Sequence, residues 1–189
     1  GNSFYDKQYQ AEYSFRNKET VRDAKFYKSE PIWVTAERQG VKSASYYWVG
    51  TEAPVKGYSP SIFKYYDGSI SFEARIDSVI SWLKLPLRIR PQLTLLYFSD
   101  PDHTGHNSGV KEPEIIKSIE TMDKLLGYLL NELKTLELYS DLNVIIVSDH
   151  GMTDINQDCL VVLDEYISHL GYLDVNGIGT HVQFDIKEG

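Results

Sequence analysis

The sequence predicts an α/β fold in which a mainly parallel sheet is flanked by helices. Two short apolar runs, Leu93–Phe98 and the β-branched Asn143–Ser148, have the composition of buried strands. Between them, the segment from Pro113 to about Leu138 repeats apolar residues at helical spacing. A strand–helix–strand unit almost always forms a right-handed crossover between parallel strands. We therefore expect both strands to end at the same edge of one sheet, with helices on both of its faces.

Five segments precede that unit, and each carries a local signal. Gly1–Ser29 is polar, aromatic and irregular, and is predicted to cross the surface of the core. Pro31–Gln39 is predicted to be a short helix, because proline suits a first turn and a glycine follows the segment. Val41–Val49 is predicted to be a strand and Gly50–Ser71 a loop rich in Gly, Pro and Ser. Phe72–Leu85 is predicted to be a helix that ends at a proline.

The long helix between the two predicted strands carries an apolar stripe. Its members are Ile115, Ile119, Met122, Leu126, Leu129, Leu133 and Leu136. Residues at this spacing share one helical face, so the stripe is predicted to be core that packs on the sheet.

The C-terminal part of the chain has weaker patterns. Leu160–Leu163 is predicted to be a short strand, and Asp164–Leu170 one or two helical turns. Thr180–Ile186 alternates apolar and polar residues and is predicted to be an edge strand.

Composition limits the class of protein. A chain of 189 residues with 42% hydrophobic residues can bury a core, and we expect residues 1–189 to belong to a single domain. The formal charge of −8 argues against a protein that binds a nucleic-acid duplex, because such domains are usually basic. No apolar run reaches membrane-spanning length, and the single Cys159 cannot form an internal disulfide. The sequence has no N-glycosylation acceptor, which fits a bacterial source.

Carboxylate and imidazole side chains follow both strands of the predicted crossover. Asp102 and His106 come just after the first strand, and Asp149 and His150 end the second. In open α/β sheets, the edge at the carboxyl ends of the strands is where ligands bind. Aspartate and neutral histidine are both common zinc ligands. These four residues therefore predict a metal site, with zinc as the expected ion.

The order of these motifs resembles one known family. Pro101–His106 followed by Ser148–Met152 resembles the nucleotide pyrophosphatase/phosphodiesterase family, which belongs to the alkaline phosphatase superfamily. Pro31–Ala36, Tyr47–Gly50 and Tyr66–Ser69 extend the resemblance, which covers the chain from its second residue to about residue 163. The resemblance implies an alkaline-phosphatase-like core, truncated at both ends.

The resemblance also implies a two-zinc mechanism. Asp102 and His106 would bind one ion, and Asp149 and His150 the other. In the family, a threonine nucleophile forms a covalent phosphoryl-threonine, and an upstream Asp and a downstream His complete the two metal sites. None of these three falls within the 189 residues, so we expect the chain to be an internal part of a phosphodiesterase catalytic domain.

Four further residues match family positions that contact the substrate. Asn2 matches an asparagine that helps to bind the phosphoryl oxygen, and an amide can donate to an oxyanion without adding charge. Trp48, Tyr66 and Tyr97 match aromatic residues of the nucleotide pocket, where an aromatic face can stack on a base. Val49 replaces a family proline beside Trp48.

The expected activity is hydrolysis of nucleotide phosphodiester or pyrophosphate bonds, in an exported protein that acts in the periplasm or outside the cell. Alternatives are another hydrolase of the superfamily, such as a phosphomonoesterase or sulfatase, a choline-type phosphodiesterase, and a non-catalytic domain of the same fold. His103, His169 and His181 lie outside the ligand motifs and are expected to be structural or surface residues.

Overall fold

The N-terminal segment folds into a hairpin that the sequence did not predict. The computed structural model describes residues 2–166, 170–176 and 182–187. Strands β1 (Ser3–Asp6) and β2 (Ala11–Ser14) pair antiparallel, and the short helix α1 (Lys18–Val21) follows. The predicted irregular segment is wrong in this part, because the tight turn lets two four-residue strands satisfy each other's backbone groups. Its aromatic residues do pack together, with the Phe4 and Tyr13 rings stacked at 5.0 Å between centroids.

Helix α2 (Ile32–Arg38) lies within the segment predicted to be a helix. It begins after Pro31, whose fixed backbone angle suits a helix start. It ends before Gly40, which has a φ of +77° that a residue with a Cβ rarely adopts. Local chemistry alone therefore accounts for this element.

The central sheet consists of three parallel strands. They are β3 (Ser43–Tyr46), β4 (Ile62–Lys64) and β5 (Leu93–Leu96), in the order β4-β3-β5. Strand β3 is buried along its whole length, as expected for the middle of a covered parallel sheet. The predicted parallel α/β class is confirmed, while β4 lies in the segment that was predicted to be only a loop.

Helix α3 (Phe72–Leu83) crosses from β4 to β5 and buries Ile76, Val79 and Ile80 against the sheet. Its start is set locally, because the Ser71 hydroxyl accepts a hydrogen bond from the Ala74 amide at 3.3 Å. The predicted helix is confirmed, although it ends two residues earlier than Leu85.

Two helices follow the sheet. Helix α4 (Asp102–Ser108) occupies a stretch that was expected to be a loop, and the 22-residue α5 (Pro113–Lys134) is the predicted long helix. In α5, Ile115 and Leu133 are buried, but Ile119 is 53% exposed. The core assignment of Ile119 is therefore wrong. Helix α5 packs against α3 and α4, while Ile116 and Ile119 stay open to solvent.

The predicted strand Asn143–Ser148 is not a strand in the structure. Residues Val144 to Val147 are exposed, with Ile145 at 84% and Val147 at 66%. An extended segment becomes a strand only when a neighbour pairs with its backbone, and in the described part of the chain β5 pairs with β3 alone. The predicted crossover through α5 is therefore wrong, and the parallel connections come from β3, β4 and β5.

The C-terminal region holds a short helix and a second hairpin. Helix α6 (Leu163–Tyr166) precedes β6 (Leu173–Asn176) and β7 (Gln183–Ile186), which pair antiparallel. The predicted helical turn after Asp164 and the predicted edge strand before Ile186 are confirmed where they are described. The strand predicted at Leu160–Leu163 is wrong. Residues 160–162 are exposed and pair with no strand among the described residues. His169 and His181 lie outside the described residues.

The core divides into two clusters on either side of the sheet's middle strand. One joins α3 and α5 around Ile76, with the Tyr46 and Trp82 rings stacked at 5.6 Å. The other is smaller and surrounds Trp33 and Val34. Within the described ranges, no helix has the length and apolar character needed to cross a membrane.

Candidate functional site

Helix α4 places the first pair of predicted metal ligands on one face. Asp102 is its first residue and His106 lies one turn later, so the two side chains are neighbours. Nε2 of His106 lies 3.4 Å from Oδ1 of Asp102. His103 is also on α4, where its Nε2 contacts the Asn107 amide at 3.2 Å.

The second pair lies in the exposed segment after α5, and it reaches the first pair through His150. Nε2 of His150 is 3.8 Å from Oδ1 of Asp102 and 3.6 Å from Oδ2 of Asp149. Both carboxylates therefore contact the same imidazole nitrogen. The structure brings the four predicted residues together even though the strand expected to carry two of them does not form.

Hydrogen bonding sets the orientation of the His150 ring. Its Nδ1 lies 2.8 Å from the Gly151 carbonyl oxygen, so this nitrogen donates and Nε2 faces the carboxylates. The hydrogen bond to Gly151 raises the pKa of His150 above its usual value, and the charges of Asp149 and Asp102 add to it, against a smaller effect of burial. An imidazole held in this way by its second nitrogen is the usual arrangement of a metal-binding histidine.

The carboxylate of Asp102 has an unsatisfied position. Its Oδ1 is buried without a hydrogen-bond partner, and it faces Nε2 of two histidines. A buried anionic oxygen without a donor is unfavourable, whereas a cation at this point would satisfy it. The donor types fit zinc. In the described ranges, however, no group of three or more His, Cys, Asp or Glu side chains is arranged to hold a metal ion. The four residues therefore fit zinc as pairs of ligands, not as a complete site.

Of the predicted pocket aromatics, Tyr97 lies near this cluster and Tyr66 lies near Tyr97. Burial raises the pKa of Tyr97, and the charges of Asp102 and Asp149 and the nearby Tyr66 add to that effect. Tyr66 is 45% exposed, and its ring centroid lies 5.0 Å from that of Tyr47. Tyr97 thus lies near both carboxylates and near Tyr66, and we call these two tyrosines together the aromatic wall.

Trp48 and Asn2 are not brought to this wall. Trp48 is half-buried and packs against the cluster around Trp33. No aromatic pair within the described ranges joins Trp48 to Tyr66 or Tyr97. Asn2 precedes the N-terminal hairpin, where its carbonyl oxygen accepts a hydrogen bond from Phe15 at 2.9 Å and the residue is exposed. Their functional roles stay predictions.

Two structural features near the site were not predicted from the sequence. Arg75 is 1% exposed and donates a hydrogen bond to the Tyr97 carbonyl oxygen at 3.2 Å. A signal was present, since Arg75 lies three residues after Phe72 and four before Val79, on the apolar face of α3. The second feature is the close contact of Gly105 with Met152, for which the sequence offers no signal.

Comparisons with known proteins agree on one family. The family model for type I phosphodiesterase / nucleotide pyrophosphatase matches residues 1–188. Ectonucleotide pyrophosphatase/phosphodiesterase family member 1 of Mus musculus is 41% identical over 177 residues, which are 94% of this chain and 19% of that protein. A venom phosphodiesterase of Naja atra is 35% identical over 182 residues, which are 96% of this chain and 22% of that protein. The chain thus spans about a fifth of the length of these relatives.

The fold also matches solved structures. Murine ectonucleotide pyrophosphatase / phosphodiesterase 5, as an inactive variant in complex with AMP, superimposes with a TM-score of 0.88 at 30% identity. That match covers 100% of this chain and 50% of the murine chain. The human counterpart gives a TM-score of 0.83 at 35% identity, over 93% of this chain and 46% of the human one.

Proposed function

The chain belongs to the type I phosphodiesterase / nucleotide pyrophosphatase family, and we propose that the protein containing it hydrolyses phosphodiester or pyrophosphate bonds of nucleotides. The observation that carries this proposal is that His106 and His150 meet at one buried oxygen of Asp102, and that Asp149 contacts the same nitrogen of His150. A cluster of anionic and imidazole donors beside an aromatic wall suits a substrate that has both a phosphate and a base.

The proposal includes two zinc ions. Asp102 and His106 would hold one ion, and Asp149 and His150 the other, each with further ligands from outside these pairs. Two such ions supply charge that stabilises the attacking and leaving oxygens at phosphorus. The chain's own residues would orient the metal ligands, because the Gly151 carbonyl keeps Nε2 of His150 turned toward the carboxylates. A threonine nucleophile outside these residues, which would form a covalent phosphoryl-threonine, is part of the same proposal, as is a single catalytic domain that includes residues 1–189.

The substrate class rests on the aromatic wall of Tyr66 and Tyr97, with Trp48 as a third candidate contact. Tyrosine faces stack on any base, which gives affinity with little base selectivity. A murine relative has been solved in complex with AMP, which supports a nucleotide as the substrate class. A choline-type diester is a second candidate, because the same rings could surround a quaternary ammonium group. A phosphomonoesterase, a sulfatase and a non-catalytic domain stay alternatives that the test below addresses.

We also propose that the protein acts outside the cytoplasm, since the relatives' names describe ectoenzymes and venom enzymes. These relatives come from mammals and snakes, so they give the expected bacterial source no support.

The test uses the protein as its gene encodes it, with the nitrophenyl ester of thymidine monophosphate as substrate. We expect turnover that requires zinc, and for Asp149→Asn a fall in kcat/KM of at least about 100-fold with loss of bound zinc. The matched control is Asp154→Asn, which removes a carboxylate from the same segment that pairs with Lys111 at 2.6 Å. The control should stay within about twofold of wild type.

The 189-residue chain by itself should bind zinc weakly and hydrolyse nothing, because each ion would have two ligands where catalytic zinc has three from protein. Substantial turnover by this chain alone would show that the nucleophile is misassigned. A full protein that binds zinc without hydrolysing any ester would support the non-catalytic alternative, and a gene without a Thr followed closely by Pro-Asn upstream of Gly1 would do the same.

A further inference from the structure

Arg75 is a buried arginine that no ion pair explains. It lies in the middle of α3 and is 1% exposed, among apolar residues of the core. None of the ion pairs in the described part of the chain includes it. Burying a guanidinium group is costly unless its donors are satisfied. The contacts that satisfy them show which parts of the molecule Arg75 holds together.

The guanidinium group joins two segments through backbone oxygens. Nε and Nη2 donate to the Ile70 carbonyl at 3.2 and 3.1 Å, and Nη1 donates to the Tyr97 carbonyl at 3.2 Å. Ile70 ends the loop that carries Tyr66, and Tyr97 directly follows β5. The planar fork of arginine can reach both oxygens at once, which a lysine ammonium cannot do with the same geometry.

The guanidinium group also lies against the ring that supports Tyr66. Its central carbon is 4.8 Å from the Tyr47 ring centroid and 4.7 Å from that of Phe72. The Tyr47 ring in turn lies 5.0 Å from the Tyr66 ring. Tyr47 has a φ of 65°, a left-handed conformation that non-glycine residues rarely adopt. Cation–π contact with Arg75 helps to stabilise that strained residue.

We infer that Arg75 is a positioning residue for substrate recognition. It fixes the main chain at Tyr97 and, through Tyr47, the ring of Tyr66, so that the two sides of the aromatic wall keep the relative placement that a flat nucleobase needs. The inference rests on the proposed function, because it assigns the wall to the base of the substrate. Arg75 itself contacts no reacting atom.

The experiment compares two nitrophenyl esters in the full protein, with and without a base: nitrophenyl thymidine monophosphate and methyl nitrophenyl phosphate. For Arg75→Met we expect KM for the thymidine ester to rise about tenfold, a typical loss for one stacked base, with kcat within about twofold. Kinetic constants for the methyl ester should stay close to wild type. Arg75→Lys should restore part of the loss, since it keeps the charge and one donor contact.

The control variant is Arg90→Met. Arg90 also donates from its Nε to a backbone oxygen, that of Leu85 at 2.9 Å, but it precedes β5 and so lies at the opposite end of that strand from Tyr97. This variant should leave the ratio of kcat/KM for the two esters unchanged. Thermal unfolding of each variant measures the folded fraction. If Arg75→Met does not fold, the comparison of the two esters is made with Arg75→Lys.

Two results would overturn the inference. One is an equal fall in kcat/KM for both esters in the Arg75 variants, which would show a structural role only. The other is an unchanged kcat/KM for both esters. If the wild-type protein hydrolyses neither ester, the proposed function fails, and binding decides the inference separately. In that case we would titrate the protein calorimetrically with AMP and with ribose 5-phosphate, and the Arg75 variants should lose affinity for AMP alone. An equal loss for both ligands, or none, would overturn it.

Discussion

Asp102 is the residue at which the two motifs of this chain meet. Its Oδ1 faces Nε2 of His106 from its own helix and Nε2 of His150 from a segment more than forty positions away. The sequence indicates which residue types are suited to metal binding, but a pairwise contact over such a separation depends on the fold. This oxygen is buried without a hydrogen-bond partner, which supports the proposal of a metal site at Asp102.

Glu37 is a second carboxylate whose role is visible only in three dimensions. Its Oε1 accepts hydrogen bonds from the amide and hydroxyl of Ser43, both at 2.7 Å, and from the amide and hydroxyl of Ser61, both at 2.9 Å. One side chain of α2 thus aligns the starts of β3 and β4. Burial acts to raise the pKa of Glu37, but these hydrogen bonds outweigh it and hold the pKa below its usual value.

We predict that Glu37→Gln lowers the free energy of unfolding by about 1 kcal/mol at neutral pH, because the hydrogen bonds lose their charged acceptor. Glu37 has a lower pKa in the folded protein than in the unfolded chain, where a glutamate has a pKa of about 4.3. Its charge therefore stabilises the fold at pH values above the unfolded pKa. This stabilisation is lost as the pH falls through the lower, folded pKa. Denaturant unfolding of both proteins between neutral and acid pH measures the difference, which should shrink toward low pH.

Glu120→Gln is the control for this prediction, since Glu120 is exposed on α5. Its unfolding curve should follow that of the wild type at each pH. A constant gap between Glu37→Gln and wild type down to strongly acid pH would contradict the assigned role of the charge.

At the scale of elements, α4 and the segment that carries His150 pack closely at Gly105. A Cβ on Gly105 would clash with the Met152 sulfur, so the absence of a side chain at this helical position lets Met152 cover α4. Met152 comes two residues after His150, and this contact therefore helps to hold Nε2 of His150 near Asp102.

For Gly105→Ala we predict a small change in stability together with weaker zinc binding by the full protein. Alanine favours an α-helix over glycine by up to about 1 kcal/mol, which opposes the clash, and the end of a methionine side chain can swing away at little cost. Displacing Met152 loosens the segment of Asp149 and His150, so zinc affinity should fall about 10-fold, as for loss of a supporting contact. Zinc titration and denaturant unfolding measure the two effects.

Gly105→Ala, Met152→Ala and the double variant that combines them form a double-mutant cycle, in which zinc affinity is measured for each protein. If the methionine transmits the effect, Gly105→Ala should change zinc affinity much less in the background that already lacks Met152. An equal effect of Gly105→Ala in both backgrounds would contradict transmission through Met152.

At the scale of the whole molecule, the part of the chain from residue 145 to 161 exposes several large apolar side chains. Ile145, Ile146, Ile155, Leu160 and Val161 are each at least 62% exposed. Ile145 and Ile146 lie in the predicted strand Asn143–Ser148, and Leu160 and Val161 lie in the strand predicted at Leu160–Leu163. Exposed apolar side chains promote association when nothing covers them.

We predict that the 189-residue chain, produced by itself, self-associates, most strongly near its isoelectric point of about 5.1, where the charge repulsion that accompanies −8 at neutral pH disappears. The double variant Ile145→Gln with Val161→Gln should reduce association without changing net charge. Leu87→Gln is the control, because Leu87 is 77% exposed in a different part of the chain. Sedimentation velocity measures the outcome, and a monomeric wild type across this pH range would contradict the prediction.

The sequence by itself determined the helices α2, α3 and α5, the α/β class, the four ligand-type residues and the family. Helices form hydrogen bonds between residues four positions apart, so apolar period, caps and breakers in the local sequence are enough to place them. The ligand types and their order were likewise readable without coordinates.

Only the tertiary structure decided which of those residues meet. Asn143–Ser148 has the composition of a buried strand, yet it is exposed, because a strand depends on backbone partners from distant parts of the chain. The burial of Arg75 and the contact of Asp102 with His150 also join segments far apart in sequence. No local period encodes such contacts, since they arise from how the elements pack.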